Sequence, residues 1–571
     1  MANFNIDATK IQTYDAIVIG SGISGGWAAK ELTQKGLRTL VLERGRDVKH
    51  VVDYKTAMDN PWDAEHHGRL PLTITEPNPI VSKCYAFDEH TQDFFVKDQE
   101  HPYQQEKPFD WIRGYQVGGK SLLWARQTQR WSDFDFEGPA RDGFAVDWPI
   151  RYKDLAPWYS YVEKFAGISG NRDGIPNLPD GEFLPAMELN CVEKHLQSSV
   201  AKFYKDRQII TGRCAHLTEP KKIHLDQGRG QCQYRHLCYR GCPFGGYFSS
   251  NSSTLPAAAK TGKLTLRPHS VVHSILYDET KKKAKGVRIV DTITKKTYDY
   301  FARIIFVNAA AMNTNLLLLN STSNRFPNGL GNDSGLLGKY VAFHNYRARV
   351  TAQIDGFDDQ YYIGRRPNAA YMPRFRNLYQ QDKDADFLRG WATYIDASRQ
   401  RGTGLGGDFG AEMKTEMTKP GPWNIFVMAM GETIPKESNR VSLSKTNVDA
   451  WGIPQLVTNI DYDANDEKMI KDFHQQGTSM LEKAGFKHIH QVDTHQAPGL
   501  DIHEMGGVRM GKDAKTSLLN GFNQLHHCKN VFVTDGACMT SVSTQNPSLT
   551  FMAMTARAAD YAVKEMKATR L

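Results

Sequence analysis

"YDAIVIGSGISGGWAAKELTQKGLRTLVLERG", residues 14–45, carries the fold. A short apolar strand, Ala16 to Ile19, runs into Gly20-x-Gly22-x-x-Gly25, then into a helical stretch with Ala28, Ala29 and Leu32 on one face, then into a second strand ending at Glu43. Each part has a physical task. Gly20 permits the tight turn, Gly22 lets the backbone approach a pyrophosphate, and Gly25 lets the helix pack closely on the strand with its N-terminus toward the anion. Glu43 is placed to accept from ribose hydroxyls and to repel a 2′-phosphate. The sequence order of strand, glycines, helix, strand and acid predicts an α/β, Rossmann-like unit that binds an ADP moiety. Whether that moiety belongs to NAD or to FAD, the fingerprint leaves open.

The rest of the chain bounds the answer. At 571 residues it exceeds one simple core, so a second domain is expected. Net charge is +8, but basic and acidic residues are interleaved, and the one tight basic run, "KKKAK" at 281–285, reads as a turn between strands. No nucleic-acid partner is expected. The start, "MANFNIDATKIQTYD", has no basic region followed by an apolar one, and no apolar run approaches bilayer length. No signal peptide and no transmembrane segment are expected.

Near the other end, "NVFVTDGACM" (530–539) is a strand ending in Asp535-Gly536, followed by "STQNPSLTFMAMTARAADYAVKEM"; upstream stands "GLDIHEMGGVRMG", containing His503. Here the chain resembles the glucose–methanol–choline (GMC) family of flavin oxidoreductases over nearly its whole length. The N-terminal fingerprint is similar to that family's FAD motif. "GYQVGGKSLLW" (114–124), with Gly118, Gly119 and Ser121, resembles its second glycine-rich motif, and "SVVHSILYD", around Val272, the segment whose backbone holds the adenine. "NAAAMNTNLLLLNS" and "LGKYVAFHN" resemble further family segments, and "NVFVTDG" and "NPSLT", with Asp535, Gly536, Pro547 and Thr550, the closing flavin motifs. The resemblance implies FAD. Covalently flavinylated relatives carry a His two residues before the position matching Ala125; Leu123 stands there, which implies a non-covalent flavin.

The family's catalytic pair, a His with a second His or Asn, falls on His503 and Asn546. The chemistry asks for such a pair: a neutral imidazole takes the hydroxyl proton while hydride leaves the carbinol carbon, and an amide holds the same oxygen without competing for its proton.

A third signal is "CQYRHLCYRGCPFG", 232–245, where three of eight cysteines, Cys232, Cys238 and Cys242, crowd together. The spacings fit no common zinc knuckle, and a disulfide leaves an odd thiol. Cys-x3-Cys-Pro flanked by glycines has the composition of an iron–sulfur loop, and three thiolates suit a 3Fe-4S cluster. Zinc, with His236 as a further ligand, and cysteines that merely pack in the core remain alternatives. Catalytic subunits of bacterial FAD-dependent sugar dehydrogenases, which the chain resembles here, carry such a cluster.

Other blocks, among them 146–170 and "YYIGRRPNAAYMPRFRN" (361–377), resemble the glucoside 3-dehydrogenases, which implies oxidation of a sugar secondary hydroxyl, at C3 of glucosides or disaccharides, to a 3-keto sugar. Tyr361, Tyr362, Arg365, Arg366, Tyr371 and Arg374 offer rings and donors to a polar sugar; Trp124 and Trp131 read as core. The domain expectation is a discontinuous FAD-binding domain, 1–50, 205–345 and 500–571, holding the cysteine loop. The second, sheet-containing α+β domain with its caps takes 51–204 and 346–499. Gly-rich 401–412 is the candidate mobile loop. Implied partners are a sugar or glucoside, an electron acceptor such as a cytochrome c or quinone, and a small export or chaperone subunit, which would take the protein to the periplasm; otherwise it stays cytoplasmic. A GMC oxidase using oxygen with a vestigial cysteine loop, and a non-catalytic flavoprotein subunit, are the competing readings.

Overall fold

The computed structural model describes residues 13–360, 368–401 and 409–571. The first sheet is built as the fingerprint predicts. Strand β1 (Thr13–Ile19) lies parallel to β2 (Thr39–Leu42), with Ile17 beside Leu40, and on its other side to Thr297–Val307, with Ile17 beside Ile305. Leu264–Arg267 extends this sheet beyond β2, and Cys528–Val533 extends it beyond Thr297–Val307, both in parallel. The hairpin Ser270–Asp278 and Lys283–Asp291 joins antiparallel. Its strands thus come from the start, the middle and the end of the chain, because each parallel pairing needs a long crossover.

Helix α1 (Ile23–Gln34) connects β1 to β2 and packs, with the final helix Ser548–Lys567, over one face of that sheet, where Ala28, Ala29, Leu32, Phe532, Ala558, Ala559 and Ala562 are buried together. The small residues let the two helices approach. Large side chains, Trp27, Trp131, Trp148 and Tyr159, fill the opposite core.

A second sheet runs in the order Lys487–Asp493, Ala348–Ile354, Pro420–Glu432, Trp391–Arg401, Ala370–Met372, Ile210–Thr211, all antiparallel, with His344–Asn345 pairing the end of Pro420–Glu432. Helices Cys191–Phe203 and Ala464–Lys483 cover it through Leu196, Val200, Phe473 and Leu481. One face is therefore sealed and the other is free to line a site. No helix among the described residues is long and apolar enough to cross a membrane.

The turn from β1 into α1 tolerates nothing larger than glycine at two points. Gly20 has φ +96°, and a Cβ there would stand 2.3 Å from the Asn308 carbonyl oxygen; a Cβ at Gly25 would stand 1.9 Å from the Gly20 carbonyl oxygen. At Gly22 a Cβ meets only the Gly118 carbonyl oxygen, at 4.0 Å. Gly25→Ala should therefore lower unfolding stability by about 1–3 kcal/mol or more, while Gly22→Ala should leave it within about 1 kcal/mol of the parent. Urea titrations of both variants check this; equal midpoints would contradict the packing role of Gly25.

Candidate active site

One cavity of ≈ 710 Å³ runs from the β1–α1 turn to His503, within the size range of cofactor pockets. Gly20, Gly22, Glu43, Gly119, Ser121, Val272, Asp535, Gly536 and Pro547 all line it. Gly25 and Gly118 do not. Gly25 is the helix-packing contact just described, and Gly118 donates its N–H to Ser21 Oγ at 3.0 Å, tying the second glycine motif to the first. Thr550 also stands off the cavity, buried, its hydroxyl paired with Tyr159 Oη at 2.8 Å.

The nucleotide end is ready for an anion. Helix α1 has no side-chain cap and no acidic residue in its first turn, and the same holds for Ser548–Lys567, whose N-terminal Pro547 and Ser548 also face the cavity. Both helices leave N–H groups free. Glu43 accepts from Ser21 N at 3.1 Å, Ser21 Oγ at 2.6 Å and Gly45 N at 3.0 Å, which holds the end of β2 against the glycine turn. Asn308 Oδ1, also at the wall, is buried without a partner. Uncapped helix ends, a Cβ-free floor at Gly22 and an acid at the ribose position fit FAD.

At the other end, Asn546 Nδ2 lies 3.4 Å from His503 Nε2, so the two residues read from sequence meet although 43 positions apart. His503 Nδ1 lies 2.8 Å from His344 Nδ1 and 3.3 Å from Tyr346 Oη. Asp501 Oδ2 accepts the backbone N–H groups of both His344 (3.0 Å) and His503 (3.2 Å). Ile502, between Asp501 and His503, has φ +64°, a strained conformation for a β-branched residue that aims the histidine. Burial, then His344 and the Lys120 ammonium, push the His503 pKa well below the ordinary imidazole value of 6.5. Burial lowers His344 to about 4 and raises Asp501 to about 7.

The cysteine loop borders the same cavity through His236 and Tyr239, but none of its three thiols lines it. The thiols are neighbours: burial, then Cys238, Cys242 and Cys214, push the Cys232 pKa up to about 12. Among the described residues the only set of three ligand atoms within 4.8 Å of one another is His344, Asp501 and His503. The three thiols are not in that set, so they do not stand at the spacing of ligands on one zinc ion, each about 2.3 Å from the metal. A polynuclear cluster holds its ligands further apart. Around the thiols, buried polar groups lack partners: Arg126 Nε and Nη1, Arg229 Nη2 and His216 Nδ1. His216 Nε2 is 3.7 Å from Cys238 Sγ, Gly246 N donates to Cys242 Sγ at 3.3 Å, and Arg126 lowers the Cys238 pKa against the effect of burial. Neither arginine has a carboxylate partner among the described contacts. Arg126 beside Cys238 and Arg229 beside Cys242 would suit an anionic group held by the thiols, an iron–sulfur cluster being one such group.

Two of the residues expected on the substrate wall stand elsewhere. Tyr371 and Arg374 are core residues: Tyr371 is fully buried, and Arg374 pairs with buried Glu432 at 3.2 Å. Tyr361, Tyr362, Arg365 and Arg366 lie outside the described residues, as does most of the Gly-rich 401–412 stretch. Trp131 is core, as read, whereas Trp124 faces the cavity and donates Nε1–H to the Phe248 carbonyl at 2.9 Å. Among the described residues the wall takes in the free face of the second sheet, in rows such as Arg349–Met428–Tyr394 and Phe426–Asp396. Period-two alternation in "ATYIDAS" and "NIFVMAM" was the signal for them. His344 stands in the family-like segment "LGKYVAFHN" but was not read as a site residue, and nothing local marks Tyr346.

A dinucleotide cradle at one end of a cavity and a histidine–amide pair at the other define an oxidoreductase that acts on CH–OH groups. Family models described as GMC oxidoreductase match residues 14–344 and 435–555. The chain belongs to the GMC oxidoreductase family, whose members take FAD. It is 26% identical to a 2-methyl-1,2-propanediol dehydrogenase of Mycolicibacterium austroafricanum, over 97% of this chain and 96% of that one. It is 24% identical to the fructose dehydrogenase large subunit of Gluconobacter japonicus (97% and 98%) and 27% identical to paromamine 6′-oxidase of Streptomyces fradiae (96% and 91%). Among solved structures, formate oxidase superposes with a TM-score of 0.61 at 14% identity (98% and 99% covered), and pyridoxine 4-oxidase from Mesorbium loti with 0.60 at 15% (96% and 99%), which shows the shared fold.

Proposed function

We propose that this chain is a FAD-dependent sugar dehydrogenase that oxidises a secondary hydroxyl, C3 of a glucoside or disaccharide, to the keto sugar and passes the electrons to an external acceptor such as a cytochrome c or quinone. The observation that carries this reading is the His503–Asn546 pair, 3.4 Å apart, at the end of the cavity away from the nucleotide cradle. FAD, when bound there, supplies the hydride acceptor. His503 Nε2 takes the hydroxyl proton, and the Asn546 amide donates to the same oxygen, holding the carbinol C–H bond in line. The wall of Arg349, Tyr394 and Asp396 offers charge and hydrogen bonds to the remaining hydroxyls of a sugar ring. A dehydrogenase rather than an oxidase is favoured by the cysteine loop, where Cys232, Cys238 and Cys242 would hold a 3Fe-4S cluster and Arg126 and Arg229 would balance its charge. The similarity to a large subunit of fructose dehydrogenase supports partner subunits; one that exports the complex would take it to the periplasm.

Leu123, which lines the cavity, offers no nucleophile to the flavin, so acid precipitation should release all yellow colour into the supernatant; colour kept in the pellet would contradict a non-covalent flavin.

His503→Ala should keep its flavin and lose about 10²- to 10⁴-fold in anaerobic flavin reduction by a sugar panel; reduction at the parent's rate would exclude His503 as the base. The base acts when neutral, and a pKa held well below 6.5 keeps it neutral as pH falls through that value. The reduction rate should thus stay flat through pH 6.5 and fall only at more acid pH. Asp501, pushed up to about 7, titrates in the same range, so the profile is taken in the parent and in Asp501→Asn. A rate halved at pH 6.5 in both proteins would contradict the sign of the shift.

Cys238→Ser should leave single-turnover flavin reduction near normal, remove iron and collapse steady-state transfer to a cytochrome, since a hydroxyl is a poor iron ligand. The parent purified without oxygen should contain about three irons per chain. A parent without iron would leave the oxidase reading, to which the similarity with paromamine 6′-oxidase lends support.

A further inference from the structure

The geometry points to His344 as a positioning residue that fixes the tautomer of His503, so that the bare Nε2 of His503 faces Asn546 and the cavity while its proton stays on Nδ1. The inference rests on the reading of His503 as the base, and it follows from a chain of hydrogen bonds whose direction is set at one end. His344 Nε2 lies 3.0 Å from the carbonyl oxygen of Ser543. A carbonyl only accepts, so Nε2 of His344 carries a hydrogen. In a neutral imidazole the other nitrogen is then an acceptor, and neutrality of His344 is enforced by its burial. Its Nδ1 stands 2.8 Å from His503 Nδ1, so the hydrogen between them belongs to His503. His503 Nε2 is left with its lone pair outward, where the Asn546 amide donates to it at 3.4 Å.

Each link is held by the fold. His344 pairs as a strand residue with Glu432, and its own N–H is tied to Asp501. Ser543 reaches its carbonyl toward the ring with φ +58°. Tyr346 stacks on the His344 ring, centroids 6.0 Å apart at 11°, and its hydroxyl lies 3.3 Å from His503 Nδ1, from which it takes a minor share of the same hydrogen. The other charged groups facing the pair are Asp501, bonded to backbone N–H groups, and Lys120, which is paired with Glu504 at 3.0 Å. None of them competes for the Nδ1 hydrogen. The ligand atoms of His344, Asp501 and His503 do lie within 4.8 Å of one another, but a 2.8 Å Nδ1–Nδ1 contact is a hydrogen bond and leaves no room for an ion between the rings. His344 does not itself line the cavity, so its effect reaches the substrate only through His503.

The test uses the flavin-loaded full chain with ¹⁵N-labelled histidine, the His503 signals being those that disappear in His503→Gln. In the parent, the neutral form of His503 should carry its hydrogen on Nδ1. In His344→Phe, which keeps the ring and loses the acceptor, the hydrogen should move wholly or partly to Nε2, and anaerobic flavin reduction should fall roughly 10- to 100-fold, less than on losing the base. His344→Asn places Oδ1 near the lost Nδ1 and should restore the Nδ1–H tautomer and most of the rate, a rescue that a merely space-filling role would not give. A hydrogen on Nε2 in the parent would overturn the assignment, as would a His344→Phe protein with unchanged tautomer and rate. Should His344→Phe fail to load flavin, the parent tautomer and the His344→Asn rate decide. Failure of the underlying reading looks different: His503→Ala would then reduce its flavin at the parent's rate, with the Nδ1–H tautomer of the parent intact.

Discussion

The seat of α1 against β1 governs the cavity. With no Cβ at Gly25 the helix stands directly on the Gly20 carbonyl, and its uncapped N-terminus is thereby aimed along the sheet's end into the cavity. Ser21, in the same turn, bonds both Glu43 at the end of β2 and Gly118 of the second glycine motif. One tight turn thus fixes where the pyrophosphate and the ribose would lie and where the segment leading to Leu123 and Trp124 must run. Everything further along the cavity is measured from that point, including the His503–Asn546 pair contributed by chain more than four hundred residues away.

Much of this frame is legible in the sequence because its determinants are local. The glycine spacing, the alanine face of α1 and the terminal acid each act within a few residues, and the parallel sheet follows from them. His503 and Asn546 were legible only because their motifs resemble a family's; their meeting is a tertiary fact. The substrate wall was misread for a physical reason. Arg374 has the chemistry of a sugar ligand, but it sits in the interior, where buried Glu432 also binds Arg389 at 2.9 Å, so the arginines are consumed by a shared carboxylate. Composition reports which groups a segment has, whereas the pleat decides which of them face the cavity. Arg349 and Asp396 lie on strands whose alternation places them inward, and nothing in their type marks them.

The histidine pair illustrates how burial and hydrogen bonding divide the work. Burial keeps both rings neutral at neutral pH, which a base needs before it can accept a proton, but burial alone leaves the two tautomers of His503 nearly free to exchange. The carbonyl of Ser543 removes that freedom at the cost of strained backbone at Ser543 and Ile502. The strain is sustained by Asp501, whose carboxyl gathers the N–H groups of His344, His503 and, at 3.2 Å, Gly499. This explains a buried acid that pairs with no cation among the described residues.

The cysteine loop poses the opposite electrostatic problem, cations without anions. A guanidinium taken out of water without a counter-ion is costly; Arg126 and Arg229 are both fully buried beside Cys238 and Cys242, and although Arg229 donates to the Gly245 and Ala166 carbonyls and Arg126 lies over the Tyr239 and Tyr247 rings, each keeps donors unused. Desolvation pulls Arg229 down to about 9, against the opposing pull of the neighbouring Cys242. Protonated thiols cannot repay such a cost, and isolated thiolates at these buried positions are disfavoured as well, since burial raises Cys232 and Cys238. A group shared by the three sulfurs, negative overall and more diffuse than a single thiolate, would meet both guanidinium groups and the His216 ring with one charge distribution. Such a group would answer the unused donors of Arg126, Arg229 and His216, whatever the spacing of the cysteines in the sequence.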